Sequence, residues 1–130
     1  MSSQALHLQK ADMFNALLDK YAGSNGNPFI AINLAMYTLG HYIEALLAER
    51  GRHPGAAMRG VPHADRGALM RSVLVAEGVL AEGDASLYGQ LVLDRDTFID
   101  GGIPDQAKLA AYVDTARPLI TKLRTLVSGN

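Results

Sequence analysis

The chain has 130 residues, of which 48% are hydrophobic and 19% are charged, and its formal net charge at pH 7 is −1. These values fit one globular domain that spans residues 1–130, and they exclude a disordered chain and a globally basic nucleic-acid-binding surface. The absence of cysteine excludes disulfides, thiolate metal sites and a cysteine nucleophile.

The N-terminal segment predicts an amphipathic helix in a protein without a targeting signal. It lacks the basic and then apolar pattern of a signal peptide, and no uncharged apolar run reaches the roughly 18 residues of a membrane helix. We therefore expect a cytoplasmic protein that does not enter a membrane. Spacings of three and four indicate one buried helix face, formed by Ala11, Phe14, Leu18 and Tyr21. The helix should end at the turn-forming run GSNGNP.

The second segment, from about residue 27 to residue 50, predicts a helix with two apolar faces. One stripe comprises Phe29, Ile32, Met36, Leu39, Ile43 and Leu46. The nearly opposite side carries Ile30, Leu34, Tyr37, His41 and Ala48. A helix that is apolar on two sides is usually central or is covered by a partner. We expect this helix to form the interface of a homodimer and to end at Gly51.

A loop and two further helices are predicted next. Glycines and prolines mark a loop over residues 52–62, and a third helix should run from about residue 63 to residue 80. Asp84 is the expected N-cap of a fourth helix, which should end at the Gly101-Gly102 break.

The last helix should start at Pro104 and be kinked by Pro118. Its apolar stripe, close to a heptad seam, is formed by Leu109, Val113, Ala116, Ile120, Leu123 and Leu126 or Val127. No convincing strand is present. The sequence therefore predicts an all-α fold, an antiparallel bundle of four to five helices.

Helical bundles often bind metal ions through side chains on facing helices. This sequence contains only part of such a ligand set. Paired His-x3-His or Glu-x2-His motifs are absent. His41 and Glu44 share a helix face with Tyr37 one turn earlier, but the last two predicted helices contain no histidine. We expect no metal and no other cofactor, and we interpret His41 as a partly buried interface residue that is hydrogen-bonded to a neighbour.

A local excess of basic residues indicates a binding surface. It comprises Arg50, Arg52, His53, Arg59, His63, Arg66 and Arg71. Between the first and the last of these residues, Asp65 is the one acidic residue. Guanidinium groups match the geometry of phosphates, and the amides at the start of the third helix add to the attraction. The stretch predicts an anion- or RNA-binding surface, with a solvated charged loop as the alternative.

A small-ligand pocket is a further hypothesis. Its expected lining is formed by Tyr37, His41, Glu44 and Tyr88, with Arg95 in the same pocket or interface.

Two stretches resemble the HEPN superfamily of helical bundles. FIAINLAMYTLGHYIEALLAERGRHP is similar to a central family helix of small and aromatic residues that ends in a motif such as ALLAERG. HADRGALM is similar to a family helix that opens with His and Arg. LYGQLVLDRDTFIDGG lies where the family often carries a Tyr or Leu and Arg pattern before a final long helix. The resemblance covers Phe29 to Met70 in residues and Ala5 to Leu126 in architecture.

The resemblance implies an all-α domain that often dimerises, and in many members an RNase that is the toxin partner of a nucleotidyltransferase antitoxin. The family's catalytic motif is Arg, four to six residues, and then His. The His acts as a general base on the ribose 2′-hydroxyl, and the Arg stabilises charge on the phosphate. This chain has only three residues between Arg59 and His63, and no histidine follows Arg95. His63 and Arg66 match a pair seen in family members.

These features favour a non-catalytic HEPN-like module over an enzyme. We expect a homodimer through the second helix that takes part in protein–protein or RNA-associated interactions, with RNA or a nucleotidyltransferase-type protein as partner. The alternative is a metal-independent RNase of the toxin–antitoxin type, with His63 as the base and Arg59 or Arg66 as the phosphate clamp. A small-ligand-binding bundle is the third hypothesis.

Overall fold

The computed structural model describes residues 3–22, 28–51, 63–101 and 106–128. Within these residues the chain forms helices and no strand. The α-helices are α1 (Ser3–Ala22), α2 (Pro28–Glu49), α3 (His63–Leu69), α4 (Glu82–Gly101) and α5 (Gln106–Ser128). The prediction of an all-α bundle of four to five helices is confirmed.

The central helix of the bundle is α2, and both α1 and α5 pack along it. Its predicted core stripe is buried at Ile32, Met36, Leu39, Ile43 and Leu46. On the second apolar face Leu34 is also buried, whereas Ile30 and Tyr37 remain 43% and 45% exposed. The protein itself therefore covers most of the helix that the sequence assigns to a dimer interface.

The same helix is the most apolar of the described elements. Residues Ile30–Glu49 are long and apolar enough to cross a membrane, although the segment contains Glu44 and Glu49 and is therefore not an uncharged run. Of this window, 78% is buried inside the bundle, as in the core helix of a soluble protein.

The first two helices form an antiparallel pair. Residue numbers that rise along α1 meet falling numbers along α2, since His7 contacts His41 and Phe14 contacts Tyr37. At the far end of α2, Gly51 adopts a left-handed conformation with φ of 64°. Its N–H donates to the Ala48 carbonyl at 3.0 Å, so Gly51 ends the helix as predicted.

The third helix is shorter than predicted and changes its winding. After Leu69 the chain continues as a π-helical segment, Met70–Val75, and it then turns instead of remaining helical to residue 80. Gly78 has a φ of 76°, and the N–H groups of Val79 and Leu80 both donate to the Leu74 carbonyl. This turn still buries Leu80, and for this reason the apolar periodicity continues past the end of the helix.

The fourth helix begins three residues earlier than an Asp84 N-cap requires. Asp84 lies in the first turn of α4, where its Oδ2 accepts a hydrogen bond from the Ala81 N–H at 2.9 Å. This is the backward-reaching half of a capping box. Lys122 of α5 donates to the same oxygen at 2.5 Å, and farther along Tyr112 donates to the Leu91 carbonyl at 3.1 Å. These contacts show that α4 and α5 are antiparallel.

The predicted stripe of α5 forms its buried face. The buried residues are Leu109, Val113, Ala116, Ile120, Leu123 and Val127. Leu126 is only partly buried, so Val127 completes the stripe. The expected start at Pro104 lies outside the described residues, and α5 continues as one helix through Pro118, which is exposed.

Candidate metal centre

Four helices contribute to a cluster of buried polar side chains. His7 comes from α1, His41 and Glu44 from α2, Arg66 from α3 and Tyr88 from α4. Glu44 and Tyr88 are fully buried, and Arg66 and His7 are only 7% and 9% exposed. We call these five residues the buried polar cluster. Polar groups at this depth are stable only when they bind one another, so the contacts within the cluster decide what it can do.

Three electron-pair donors of the cluster lie close together. The Nδ1 atoms of His7 and His41 are 2.9 Å apart. Glu44 Oε2 lies 3.3 Å from the first nitrogen and 3.5 Å from the second. Two imidazole nitrogens and one carboxylate oxygen therefore form a nearly equilateral triangle, and all three residues offer a ligand atom that could hold one metal ion.

The environment of His41 favours its neutral form. Burial lowers the pKa of His41 to about 4 and outweighs the opposing effect of the Glu44 carboxylate. Phe14 stacks on the imidazole, with ring centroids 5.6 Å apart, and contributes to that burial. At neutral pH the ring therefore carries no charge and keeps one nitrogen lone pair, as a metal ligand requires.

Arg66 orients the carboxylate from the other side. Its Nη2 donates to Glu44 Oε1 at 3.3 Å, while Oε2 of the same carboxylate faces the histidines. The guanidinium lies on the backbone of α2 at Gly40, where a Cβ would be 3.0 Å from Arg66 Cζ. A glycine at this position lets the arginine approach the helix closely enough to reach Glu44.

Tyr88 completes the cluster on the side of α4. Its hydroxyl oxygen accepts a hydrogen bond from Arg66 Nη1 at 2.9 Å. Burial raises the pKa of Tyr88, although the positive charge of Arg66 opposes that shift. The hydroxyl therefore stays protonated at neutral pH, and it fixes the guanidinium without adding a negative charge.

The structure brings together only part of the predicted pocket lining. His41, Glu44 and Tyr88 belong to the buried polar cluster. Tyr37 is 45% exposed and packs its ring 5.4 Å from that of Phe14. Arg95 donates to Asn33 Oδ1 at 2.8 Å. Glu44 and Tyr88 meet through Arg66, His41 contacts Glu44, and Tyr37 contacts Phe14, so the pocket stays a prediction.

Arg66 also corrects the predicted basic surface. The sequence places this residue on an exposed anion-binding face, but its side chain is buried and bonded to Glu44 and Tyr88. Helix α3 directs Arg66 into the bundle because position 66 lies one turn before Met70, which is also buried. An arginine held in this way is not available as a phosphate clamp.

Two other arginines of the basic stretch form ion pairs at the surface. Arg50 Nε lies 3.3 Å from Glu77 Oε1, and Arg71 Nε donates to Glu82 Oε1 at 2.7 Å. Both pairings reduce the positive charge that these residues offer to a phosphate. The side chains of Arg52, His53, Arg59 and His63 lie outside the described part of the structure. An anion-binding surface formed by them stays a prediction.

His7 is the member of the cluster that sequence reasoning missed. It lies 34 positions before His41, so no local motif joins them. A signal is nevertheless present, because position 7 continues the stripe of Ala11, Phe14 and Leu18 at helical spacing. A histidine at a core position of α1 is directed towards α2, and the antiparallel pairing supplies the third ligand.

Comparison of the chain with protein-family models, with curated proteins and with solved structures found no match. The resemblance to the HEPN superfamily therefore stays a prediction from the sequence.

Proposed function

We propose that this protein binds a divalent transition-metal ion through the Nδ1 atoms of His7 and His41 and the Oε2 atom of Glu44. The triangle of donor atoms, with sides of 2.9, 3.3 and 3.5 Å, is the observation that carries the proposal. Ligands at the usual distance from a tetrahedral zinc ion lie about 3.3 Å from one another. The apo arrangement is therefore close to ligand spacing, and an ion enters with displacements of about 0.5 Å or less.

The donor types select a class of ion. Imidazole nitrogen and carboxylate oxygen suit Zn²⁺, Fe²⁺ and related first-row ions, whereas Ca²⁺ and Mg²⁺ prefer sites made of oxygen atoms. The chain contains no cysteine to favour Cu⁺ or an iron–sulfur cluster. Two histidines and one glutamate also form the protein ligands of catalytic zinc sites that leave a fourth position for water or substrate. Zn²⁺ is therefore the first ion to test.

The hydrogen bonding of the metal-free cluster supports the same assignment. The Nδ1 atoms of His7 and His41 are 2.9 Å apart, so one ring donates a proton to the other in a hydrogen bond. Metal binding requires that this proton leave Nδ1, so the donating ring changes its tautomer. Arg66 holds Glu44 from the outside, in the way that outer-shell groups orient ligating carboxylates.

Calorimetry with chelator-treated protein tests the proposal. We expect one Zn²⁺ per chain at neutral pH, and with Co²⁺ as a substitute we expect visible absorption bands typical of a four- or five-coordinate site. Removal of an outer-shell partner alone lowers metal affinity by about 10- to 100-fold. Glu44→Gln and His7→Asn remove a ligand, and each should weaken Zn²⁺ binding by more than about 100-fold.

A matched variant separates ligand loss from a general change of charge. Glu82→Gln removes a carboxylate that is exposed and paired with Arg71, so its zinc affinity should equal that of the parent. Circular dichroism of each variant shows whether the helical fold is kept. Zinc binding by the parent that is substoichiometric, or that is unchanged in both ligand variants, contradicts the proposal.

We also propose that the exposed apolar residues of α1 and α2 form a homodimer interface. Ile30 and Tyr37 of α2 are 43% and 45% exposed, and Leu6 and Met13 of α1 are 40% and 52% exposed. The contact between Phe14 and Tyr37 places the two helices side by side. Exposed apolar patches on globular proteins commonly mark sites of protein association.

Size-exclusion chromatography with light scattering tests the dimer. The parent should have twice the chain mass of 13.9 kDa, and Tyr37→Lys should shift it to the monomer. Leu93→Lys is the matched control, because Leu93 is a large apolar residue on α4 that is 60% exposed. A parent that stays monomeric at high concentration removes the proposal.

A further inference from the structure

A groove between α1 and α5 is a second polar feature of the molecule, and it does not share residues with the buried polar cluster. Its volume is about 540 Å³, which lies within the range of small-molecule sites. It is lined by Asn15, Asp19, Arg117, Ile120, Thr121, Arg124 and Thr125.

The groove contains two arginines, of which one forms an ion pair with an aspartate. Arg117 Nη1 donates to Asp19 Oδ1 at 2.7 Å, so this pair joins α5 to α1 across the groove. Among the described residues, no carboxylate lies within ion-pair distance of Arg124, which is exposed. Arg124 is therefore the charge that the groove can offer to an anion.

Neutral hydrogen-bond donors surround that charge. Thr121 lies one helical turn before Arg124 and Thr125, at spacings of three and four residues, and all three line the groove. Asn15 lines the opposite wall on α1 and adds an amide. One guanidinium, two hydroxyls and one amide are the group types that bind the oxygens of phosphates and carboxylates.

A buried tyrosine lies near two of the residues that line the groove, Asn15 and Arg124. Tyr42 is fully buried, and its hydroxyl donates to Asp12 Oδ1 at 2.5 Å. Burial and this hydrogen bond raise the pKa of Tyr42, whereas Arg124 and Asn15 lie near enough to oppose the shift. The wall also contains Ile120, which is 3% exposed and belongs to the core. The groove is therefore lined mainly by polar residues, with the apolar core directly behind it.

We infer that the groove between α1 and α5 binds a small organic anion, whose phosphate or carboxylate group is held by Arg124, Thr121, Thr125 and Asn15. The organic part of the molecule lies towards the Arg117–Asp19 pair. This pair limits the length of the ligand and presents both a donor and an acceptor to its far end. The inference is independent of the proposed metal site, since no residue is common to the two.

Nuclear magnetic resonance of ¹⁵N-labelled protein locates the site directly. We expect saturable shifts of the amides of Asn15, Thr121, Arg124 and Thr125 on titration with inorganic phosphate at millimolar concentration and constant ionic strength. Adenosine monophosphate and succinate are then titrated separately. Tighter binding of the first identifies a phosphate ligand, and tighter binding of the second identifies a carboxylate ligand.

Substitutions distinguish a specific anion-binding site from non-specific attraction of anions to positive charge. Loss of one charge-assisted hydrogen bond corresponds to about a tenfold or greater loss of affinity, and this is the effect expected of Arg124→Gln. Thr121→Val should weaken binding by a smaller factor. Arg71→Gln removes an exposed arginine outside the groove and should leave the affinity unchanged. Shifts that do not saturate, that map elsewhere, or that persist at equal affinity in Arg124→Gln overturn the inference.

Discussion

His7 and Arg66 are polar residues at positions whose spacing directs them into the core. Position 7 continues the apolar stripe of α1, and position 66 lies one turn before the buried Met70. A buried polar side chain is stable only when it has hydrogen-bond partners. Charge alone suggested a solvated Arg66, whereas its position on the helix agrees with the buried contacts that the structure shows.

A glycine on α2 shows how closely Arg66 is fitted. A Cβ at Gly40 would lie 3.0 Å from Arg66 Cζ and 3.1 Å from Nη1, whereas a Cβ at Gly89 of α4 meets nothing within 4 Å. Both Gly→Ala substitutions increase helix propensity by a similar amount. Only Gly40→Ala places a methyl group against the guanidinium of Arg66. We expect Gly40→Ala to be about 1–3 kcal/mol less stable than Gly89→Ala in urea unfolding.

The same pair of variants bears on the metal centre. Displacement of Arg66 in Gly40→Ala should also lower zinc affinity, because Glu44 loses its outer support. Equal stability of the two alanine variants would show that Arg66 moves aside at no cost.

At the scale of the helices, local signals locate the centres of the elements better than their ends. Gly51 ends α2 where the sequence places the stop, because a left-handed glycine is a local property of the chain. The third helix differs, since its apolar periodicity continues to Leu80 although the helix has ended. Apolar periodicity indicates which residues are buried. A turn that packs against the core also buries its apolar residues, so the pattern does not show where the helix ends.

The start of α4 gives a prediction about pH. Partial burial acts to raise the pKa of Asp84, but hydrogen bonds from Lys122 and from the Ala81 N–H outweigh it, so the pKa lies below its ordinary value. A carboxyl whose pKa is lower in the folded state stabilises the fold above its unfolded pKa of about 3.9. This contribution disappears as the pH falls through the folded-state pKa.

Asp84→Asn should therefore lower the free energy of unfolding by about 0.5–1 kcal/mol at pH 7 and by much less near pH 2. Urea unfolding of both proteins at the two pH values measures the difference. Asp114→Asn on α5 is the control, because Asp114 is exposed and should show little effect at either pH. A penalty for Asp84→Asn that is the same at both pH values would mean that the charge of Asp84 has no role.

At the scale of the whole molecule, α2 organises the bundle. It packs against α1 and α5 along its length and supplies both His41 and Glu44. Because α1 and α3 deliver the other polar partners to this helix, the candidate metal centre joins elements that are far apart in the chain. An ion at this position would therefore link α1 to α2 and stabilise the bundle as a unit.

Thermal unfolding measures this linkage. An ion that binds only the folded state contributes about 2.7 kcal/mol at a free concentration of about 100 times Kd. For a domain of this size, the shift in Tm is on the order of 10 °C. We expect Zn²⁺ to raise the Tm of the parent, a chelator to reverse the rise, and Glu44→Gln to lose it. A Tm of the parent that does not respond to Zn²⁺ argues against an ion site in the folded bundle.

The sequence by itself determined the helices and their buried faces. Stripes at helical spacing identified the core positions of α1, α2 and α5, and Gly51 identified one helix end, since spacing and backbone conformation are local properties. It also singled out His41 and Glu44, which lie one turn apart on one helix.

Only the tertiary structure decided which polar groups meet. His7 joins His41 and Glu44 through the antiparallel packing of α1 on α2, and Arg66 reaches Glu44 past Gly40. No spacing along the chain encodes these distances, because they depend on the register between helices. That register is set by the packing of apolar side chains over the whole core, and so a half-site in the sequence becomes a set of three candidate ligands only in the folded bundle.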